Sequence, residues 1–353
     1  MFFNSQKGIN KGRTYDIILS IRKGVTMEVG RREILRAGVA VALAGVAQRA
    51  MAGGEVRKVG GRSFVAACPD KVATIDRKPG PYRVMVIGAH PDDADIVCGC
   101  FALKLIAKGM KVKFVSVTDG RMGHHRLSPD ETAKTRRAET IEAAKRFGLD
   151  GYDIYGEPDC GLIPTYDLRC RLAKEIREYA PDYVITHRTC DYHTDHRATG
   201  QLVMDAGYLL GVPHWVPEAE PQRRRPVIFY MSDMFTVPKE MRPDLMIDAE
   251  PYIAKWCDGL DAQVSQFYDW LPWDKGAEAE VAALGDRYQN IAARNAYLCK
   301  YWASRKVNDA RRFADAWRAA NPGKPVPTYM EAYEVSEYGR APTQEDFDLL
   351  LNA

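Results

Sequence analysis

The chain has 353 residues, 46% of them hydrophobic, which is enough to bury a sizeable core as one large domain or as one domain with an appendage. Its net charge is +3, but residues 1–52 alone carry +6, nine Lys/Arg against three Asp/Glu; the remainder is therefore acidic at −3, which weighs against a nucleic-acid footprint. Eight cysteines without a C-x-x-C pair exclude a disulfide scaffold and a Cys-type zinc site, and most are expected to be small buried apolar groups.

In chain order, Arg31-Arg32-Glu33-Ile34-Leu35-Arg36 is followed by an apolar run of eleven residues, Ala37 to Ala47, and by Ala50-Met51-Ala52. That is the pattern of a twin-arginine export signal with an Ala-x-Ala cleavage site, and the run is too short to span a membrane core that needs about 20 residues. Residues 1–52 are thus expected to be removed on export to the periplasm or beyond, and a start at Met27 gives a signal of ordinary length. The mature part, 53–353, is expected to be a single domain with a helical C-terminal cap.

Tyr82 to Gly88 reads as a strand, Ile96 to Ala107 as a buried helix, and Lys111 to Val117 as the next strand. A polar loop from Thr118 to Pro129 leads to a helix over about 130–147, then a short strand near 152–155, a helix over 167–179 and a strand over 182–186. Strands alternating with helices predict an open, mostly parallel α/β sheet covered on both faces, a Rossmann-like three-layer fold. Past Gln201 the pattern loosens: a strand over 226–230, a helix over about 251–270, helices between 276 and 320, and a loop over 321–327.

Two clusters carry the chemistry: His90-Pro91-Asp92-Asp93 and His193-Thr194-Asp195-His196, each just beyond the carboxyl end of a predicted strand, where ligands of open α/β sheets gather. His90 and Asp93 lie three apart on a turn and His196 arrives from the other loop, giving the two-His, one-carboxylate set of a catalytic zinc site. Asp92 is left beside the metal as general base for water, and then as proton donor to a departing nitrogen. His193 is expected to stabilise an oxyanion as a cation, with Asp195 fixing its tautomer. His187 is expected to support the ligands, and His124 and His125 to lie on the loop or the substrate rim. Gly88 is not followed by G-x-G-x-x-G, which weighs against a dinucleotide site.

Ala89-His90-Pro91-Asp92-Asp93-Ala94-Asp95 resembles the A-H-P-D-D-x-E signature of the LmbE-like (PIG-L) N-acetylglucosaminyl deacetylase family, and His193 to His196 resembles its H-P-D-H motif. The resemblance continues through Thr118-Asp119-Gly120, Arg137-x-Glu139, Pro158-Asp159-x-Gly161-Leu162 and Ser265-Gln266. It implies zinc on His90, Asp93 and His196, the base role for Asp92, the oxyanion role for His193 supported by Asp195, and substrate contacts from Arg137 and Asp159. Asp95 stands where the signature has Glu, and Thr194 where the motif has Pro. The expected activity is zinc-dependent removal of an N-acyl group, acetyl above all, from an amino sugar or glycoconjugate. Two other readings are a zinc amidase acting on a non-sugar amide or thiol conjugate, and a carbohydrate-binding relative without catalysis.

Overall fold

Val84 and Val86 are buried on one side of their strand, and Met85 and Ile87 are buried on the other. A strand whose successive side chains all leave water must lie inside a sheet covered on both faces. The computed structural model, which describes residues 57–59, 62–64 and 75–351, places that strand in the interior of a seven-stranded sheet, third from one edge. The expected signal at 1–52 lies outside the described residues.

A small hairpin, β1 (Arg57–Val59) and β2 (Arg62–Phe64), precedes β3 (Arg83–Gly88), α1 (Asp93–Ala107), β4 (Lys111–Thr118), α2 (Pro129–Phe147), β5 (Gly151–Glu157), α3 (Tyr166–Tyr179), β6 (Tyr183–Thr186), α4 (Thr194–Leu209) and β7 (Val227–Met231). β8 (Leu245–Asp248), α5 (Ile253–Leu260), a π-helical turn at Gln266–Trp270, α6 (Leu271–Lys275), α7 (Glu278–Ala283), α8 (Ile291–Trp302), α9 (Ser304–Arg312), α10 (Ala314–Ala320), β9 (Met330–Val335) and α11 (Gln344–Leu351) complete the order. The sheet runs β5-β4-β3-β6-β7-β9-β8, parallel from β5 to β7, with β9 antiparallel to both of its neighbours. From β3 the chain builds outward through β4 and β5, then returns to lay β6 against the other side of β3. The crevice between β3 and β6 is therefore the topological switch point.

α1 and α11 cover one face with Val97, Phe101, Phe347 and Leu350, and α3 and α4 cover the other with Leu172, Ile176, Leu202 and Val203. Beyond α1 a further layer packs Trp256, Leu260, Phe267 and Leu298. The expected helix over 251–270 is broken: α5 stops at Leu260, and a turn intervenes in which Gln263 directs its amide at Asp95, 2.9 Å away. A buried hydrogen bond between two polar side chains here outweighs helical continuity. No described helix is long and apolar enough to cross a membrane.

α11 is fastened by Asp346, which accepts from Arg340 (2.7 and 2.8 Å), from the Tyr183 hydroxyl (2.9 Å) and from the Thr343 amide (2.6 Å). Burial raises the Asp346 pKa, but Arg340 and Thr343 overcome it and bring it down to about 2. A carboxylate with a folded pKa below its unfolded one adds stability above about pH 4, and that stability is lost as pH falls through 2. Urea unfolding at pH 6 and pH 2 is expected to show wild type losing about 2 kcal/mol more than Asp346→Asn. Equal losses would mean that the pair contributes nothing.

Candidate metal centre

The loop after β3 is built to aim its own carboxylate. The amides of Ala89 and His90 donate to Asp93 Oδ2 at 2.9 and 2.8 Å, and the Ala89 carbonyl accepts from the Thr118 amide (2.8 Å) and hydroxyl (2.9 Å) at the end of β4. Gly88 makes the close turn possible, since a Cβ there would stand 2.9 Å from Asp93 Cβ. Asp92 occupies the N-cap position of α1 but makes no capping bond; its Oδ2 instead accepts from Arg136 Nη2 at 2.7 Å.

The loop after β6 closes on the same point. His193 is the N-cap of α4 and its Nδ1 accepts from the Asp195 amide at 3.3 Å, while Asp191 accepts from the His193 amide (2.8 Å) and faces His196 Nδ1 (3.2 Å). Ring centroids of His90 lie 4.9 Å from His193 and 5.3 Å from His196. The two distant sequence clusters are one constellation, held together because β3 and β6 pair directly.

His90, Asp93 and His196 offer donor atoms all within 4.8 Å of one another. Asp93 Oδ2 is 3.4 Å from His90 Nδ1, and Asp93 Oδ1 is 3.3 Å from His196 Nε2. Tetrahedral zinc with bonds near 2.0–2.1 Å keeps its ligand atoms about 3.3 Å apart, so the donor set fits such an ion. The opposite ring nitrogens both meet carboxylates: His90 Nε2 faces Asp159 (3.2 Å) and Asp195 (3.3 Å), and His196 Nδ1 faces Asp191. Carboxylates in those places fix each ring's orientation and raise its basicity as a ligand. His187 stacks on His196 at 4.0 Å, with its Nε2 3.2 Å from Asp93 Oδ2.

The electrostatics follow from this crowd of carboxylates. Burial lowers the His90 pKa, but Asp159, Asp195 and Asp93 raise it well above the ordinary value. His196 is likewise raised to about 9, against burial, by Asp93 and Asp191. His187 is lowered to about 4 by burial and by the His196 charge. Asp93 stays well below the usual carboxylate range despite burial, because His196 and His187 favour its anion, and Asp159 falls to about 2, where the contact with His90 outweighs burial. Fields of this kind on buried imidazoles are what a cation-binding cleft produces.

Three expectations need correction. The Asp195 carboxylate does not orient His193: it accepts from the amides of Cys160 (2.7 Å) and Leu162 (3.2 Å) and faces His90, and only its backbone N–H reaches the His193 ring. His193 is not driven to the cation, since burial and the neighbouring His196 and His90 lower its pKa. With Nδ1 accepting, the neutral ring carries its proton on Nε2. Arg137 is exposed on α2 and donates to the Ile154 carbonyl (3.2 Å), whereas its neighbour Arg136 is buried against Asp92 and Gly120. Asp159, by contrast, is in the site.

Asp95 accepts directly from Tyr152 (2.7 Å) and Gln263 (2.9 Å), so the shorter acid finds its partners without a bridge, and burial raises its pKa to about 7. Glu139 accepts from the Ser265 amide (2.8 Å) and hydroxyl (2.6 Å), and Gln266 donates to the Gly123 carbonyl (3.1 Å), which ties those scattered motif pieces to the rim. His125 stacks on Trp273 at 4.6 Å and Trp270 on Trp273 at 5.3 Å; a Cβ on Gly123 would lie 3.3 Å from Arg136 Nη1 and 3.6 Å from Trp270 Nε1, so this aromatic ladder adjoins the site. His124, His125 and Asp269 also cluster. However, His124 Nδ1 accepts from two amides (3.1 and 3.0 Å), which puts the proton on the nitrogen facing Asp269 and leaves no lone pair for a metal there.

Residues 85–207 match the family described as GlcNAc-PI de-N-acetylase, PIG-L. The chain is 26% identical over 204 residues to the diacetylchitobiose deacetylase of Thermococcus kodakarensis, a match covering 54% of this chain and 73% of that protein. It is 24% identical over 179 residues to a 1D-myo-inositol 2-acetamido-2-deoxy-alpha-D-glucopyranoside deacetylase of Kineococcus radiotolerans, covering 39% of this chain and 50% of that one. Among solved structures, the N,N'-diacetylchitobiose deacetylase of Pyrococcus horikoshii superposes with TM-score 0.51 at 22% identity, covering 72% of this chain and 84% of the other. The 4-carboxy-2-hydroxymuconate hydratase of Pseudomonas putida superposes with TM-score 0.55 at 17% identity, covering 74% and 98%. A hydratase and a deacetylase on one fold show that the fold alone does not choose the reaction.

Proposed function

We propose, from the premise that residues 85–207 form a PIG-L family domain and that the chain is an enzyme of the metal-dependent N-deacetylase class, that it removes an acetyl group from the amine of an amino sugar or glycoconjugate. The observation that carries this reading is the convergence of His90, Asp93 and His196 on one point, with the carboxylate of Asp92 left outside that set. Those three residues would hold the ion, zinc on the chemistry of two imidazoles and a carboxylate. When bound, such an ion polarises an amide carbonyl and makes water a better nucleophile at neutral pH.

The rest of the work falls to the chain itself. Arg136 grips one oxygen of Asp92, which fixes the carboxylate while it takes a proton from attacking water. The same proton is then available for the departing amine nitrogen. His193, neutral and with its proton on Nε2, donates a hydrogen bond to the oxygen on which charge develops, without a charged ring. Asp159 and Asp195 hold the His90 ring in place from behind.

Acetate release by the zinc-loaded full chain, measured on acetylated amino sugars, peptide-like amides and thiol conjugates, tests the reading. Turnover confined to amides without a sugar would replace it by the amidase alternative, and binding without turnover by the non-catalytic one. The aromatic ladder supports a substrate longer than one ring: Trp273 is 47% exposed and offers a flat apolar face beside the site. Trp273→Ala is expected to raise KM for an acetylated disaccharide roughly fivefold to tenfold, with kcat within twofold and a much smaller effect on the monosaccharide. Equal effects on both would remove the platform from substrate binding.

We also propose that the protein acts outside the cytoplasm after twin-arginine export of the folded chain, on the strength of Arg31-Arg32, the short apolar run and Ala50-Met51-Ala52.

A further inference from the structure

Two cysteines outside the candidate ligand set stand close to each other. Cys257 in α5 and Cys299 in α8 are 42 residues apart, and their sulfurs lie 3.7 Å from one another across the packed helices. Cys257 is fully buried and Cys299 half-buried. A disulfide needs about 2.05 Å between sulfurs, and 3.7 Å leaves a gap of the size that side-chain rotation and a small helix shift close. The chain between them is not incidental. It carries Gln263, which holds Asp95; Ser265, which binds Glu139; Gln266, which holds the Gly123 carbonyl; and the aromatics Trp270 and Trp273.

We propose that Cys257 and Cys299 are a disulfide site that clamps α5 to α8 and covalently closes the segment forming one wall of the catalytic cleft. The oxidant is a small-molecule or protein disulfide, of the kind that an oxidising compartment supplies. The half-buried Cys299 sulfur attacks one sulfur of that donor, forming a mixed disulfide and releasing the first donor thiolate. Cys257 then gives up its proton and attacks Cys299 Sγ, expelling the second donor thiolate. Two electrons pass to the donor, which leaves as two thiols, and the chain gains one S–S bond. The order of attack suits the pair: Cys299 is the more exposed of the two, and hydrogen bonding from Cys257, with help from Tyr329 and Lys306, lowers its pKa despite burial.

The test equilibrates the purified full chain with oxidised glutathione, alkylates the free thiols under denaturing conditions and maps the peptides. The expected result is a Cys257–Cys299 linked peptide and two fewer free thiols than the eight of the reduced chain. Closing a loop of this length is also expected to raise Tm by roughly 5 °C over the reduced form, a rise absent in Cys299→Ala. Recovery of both cysteines as separately alkylated peptides overturns the proposal, as does a linked form that melts no higher than the reduced one. Should the variant fail to fold, the wild-type map and melting pair decide alone. None of these readouts uses deacetylation, so the clamp and the proposed activity stand or fall separately.

Discussion

Asp92→Asn is expected to lower kcat by about 10²- to 10⁴-fold while metal content stays at the wild-type level. The substitution is nearly isosteric, and its carbonyl oxygen still accepts from Arg136 in place of the carboxylate oxygen now 2.7 Å from Nη2. What disappears is the capacity to take a proton, which the reaction needs twice, once from water and once in reverse toward the amine. Steady-state kinetics together with metal analysis decide the matter. A kcat within threefold of wild type would move the base to another carboxylate, and loss of metal would make Asp92 a ligand.

The second large effect lies in the ligands. His196→Ala is expected to weaken zinc binding at least 100-fold and to abolish turnover at ordinary metal concentrations, with the fold retained by circular dichroism. The wild-type site carries a pH signature of its own. His196, raised to about 9, and His90, raised well above its usual value, both hold protons at pH 7 that a metal must displace. The sign is fixed by that competition: raising pH strips the protons and tightens metal binding, by up to about 100-fold per pH unit while both rings start protonated. Calorimetry in buffers of different ionisation enthalpy is expected to count close to two protons released near pH 7. Release of none would mean that these imidazoles are already neutral.

The convergence of the candidate ligands His90, Asp93 and His196, with Asp92 beside them, was legible in the sequence because each sits within a few residues of a strand end, where the apolar run and the motif share one register. Arg136 was not, because the choice between it and Arg137 is a matter of helical phase. The stripe Thr132, Arg136, Thr140, Ala143 and Phe147 is buried on α2, and only reading that spacing outward from the Ser128 cap would have pointed to the correct arginine. Asp195 was misread for a related reason: as the second residue of α4 it offers its amide to His193, while the helix turns its side chain toward Cys160 and His90. The antiparallel strand β9 escaped because Glu331 and Glu334, both buried, break its apolar run, and with it went its short edge partner β8. Glu331 is held by Lys306 at 2.5 Å and by the amides of Cys100 and Phe101, so two acidic residues that look like surface are interior anchors.

The pairing of β3 with β6 joins loops that are a hundred residues apart along the chain, so no fragment of the nascent polypeptide contains the chelate. An extended precursor therefore has nothing with which to select an ion. Only the finished sheet does, and a protein that crosses a membrane already folded takes with it the metal available where it was made. Under the proposed export of the folded chain, the compartment of synthesis, rather than that of action, then supplies its inorganic partner.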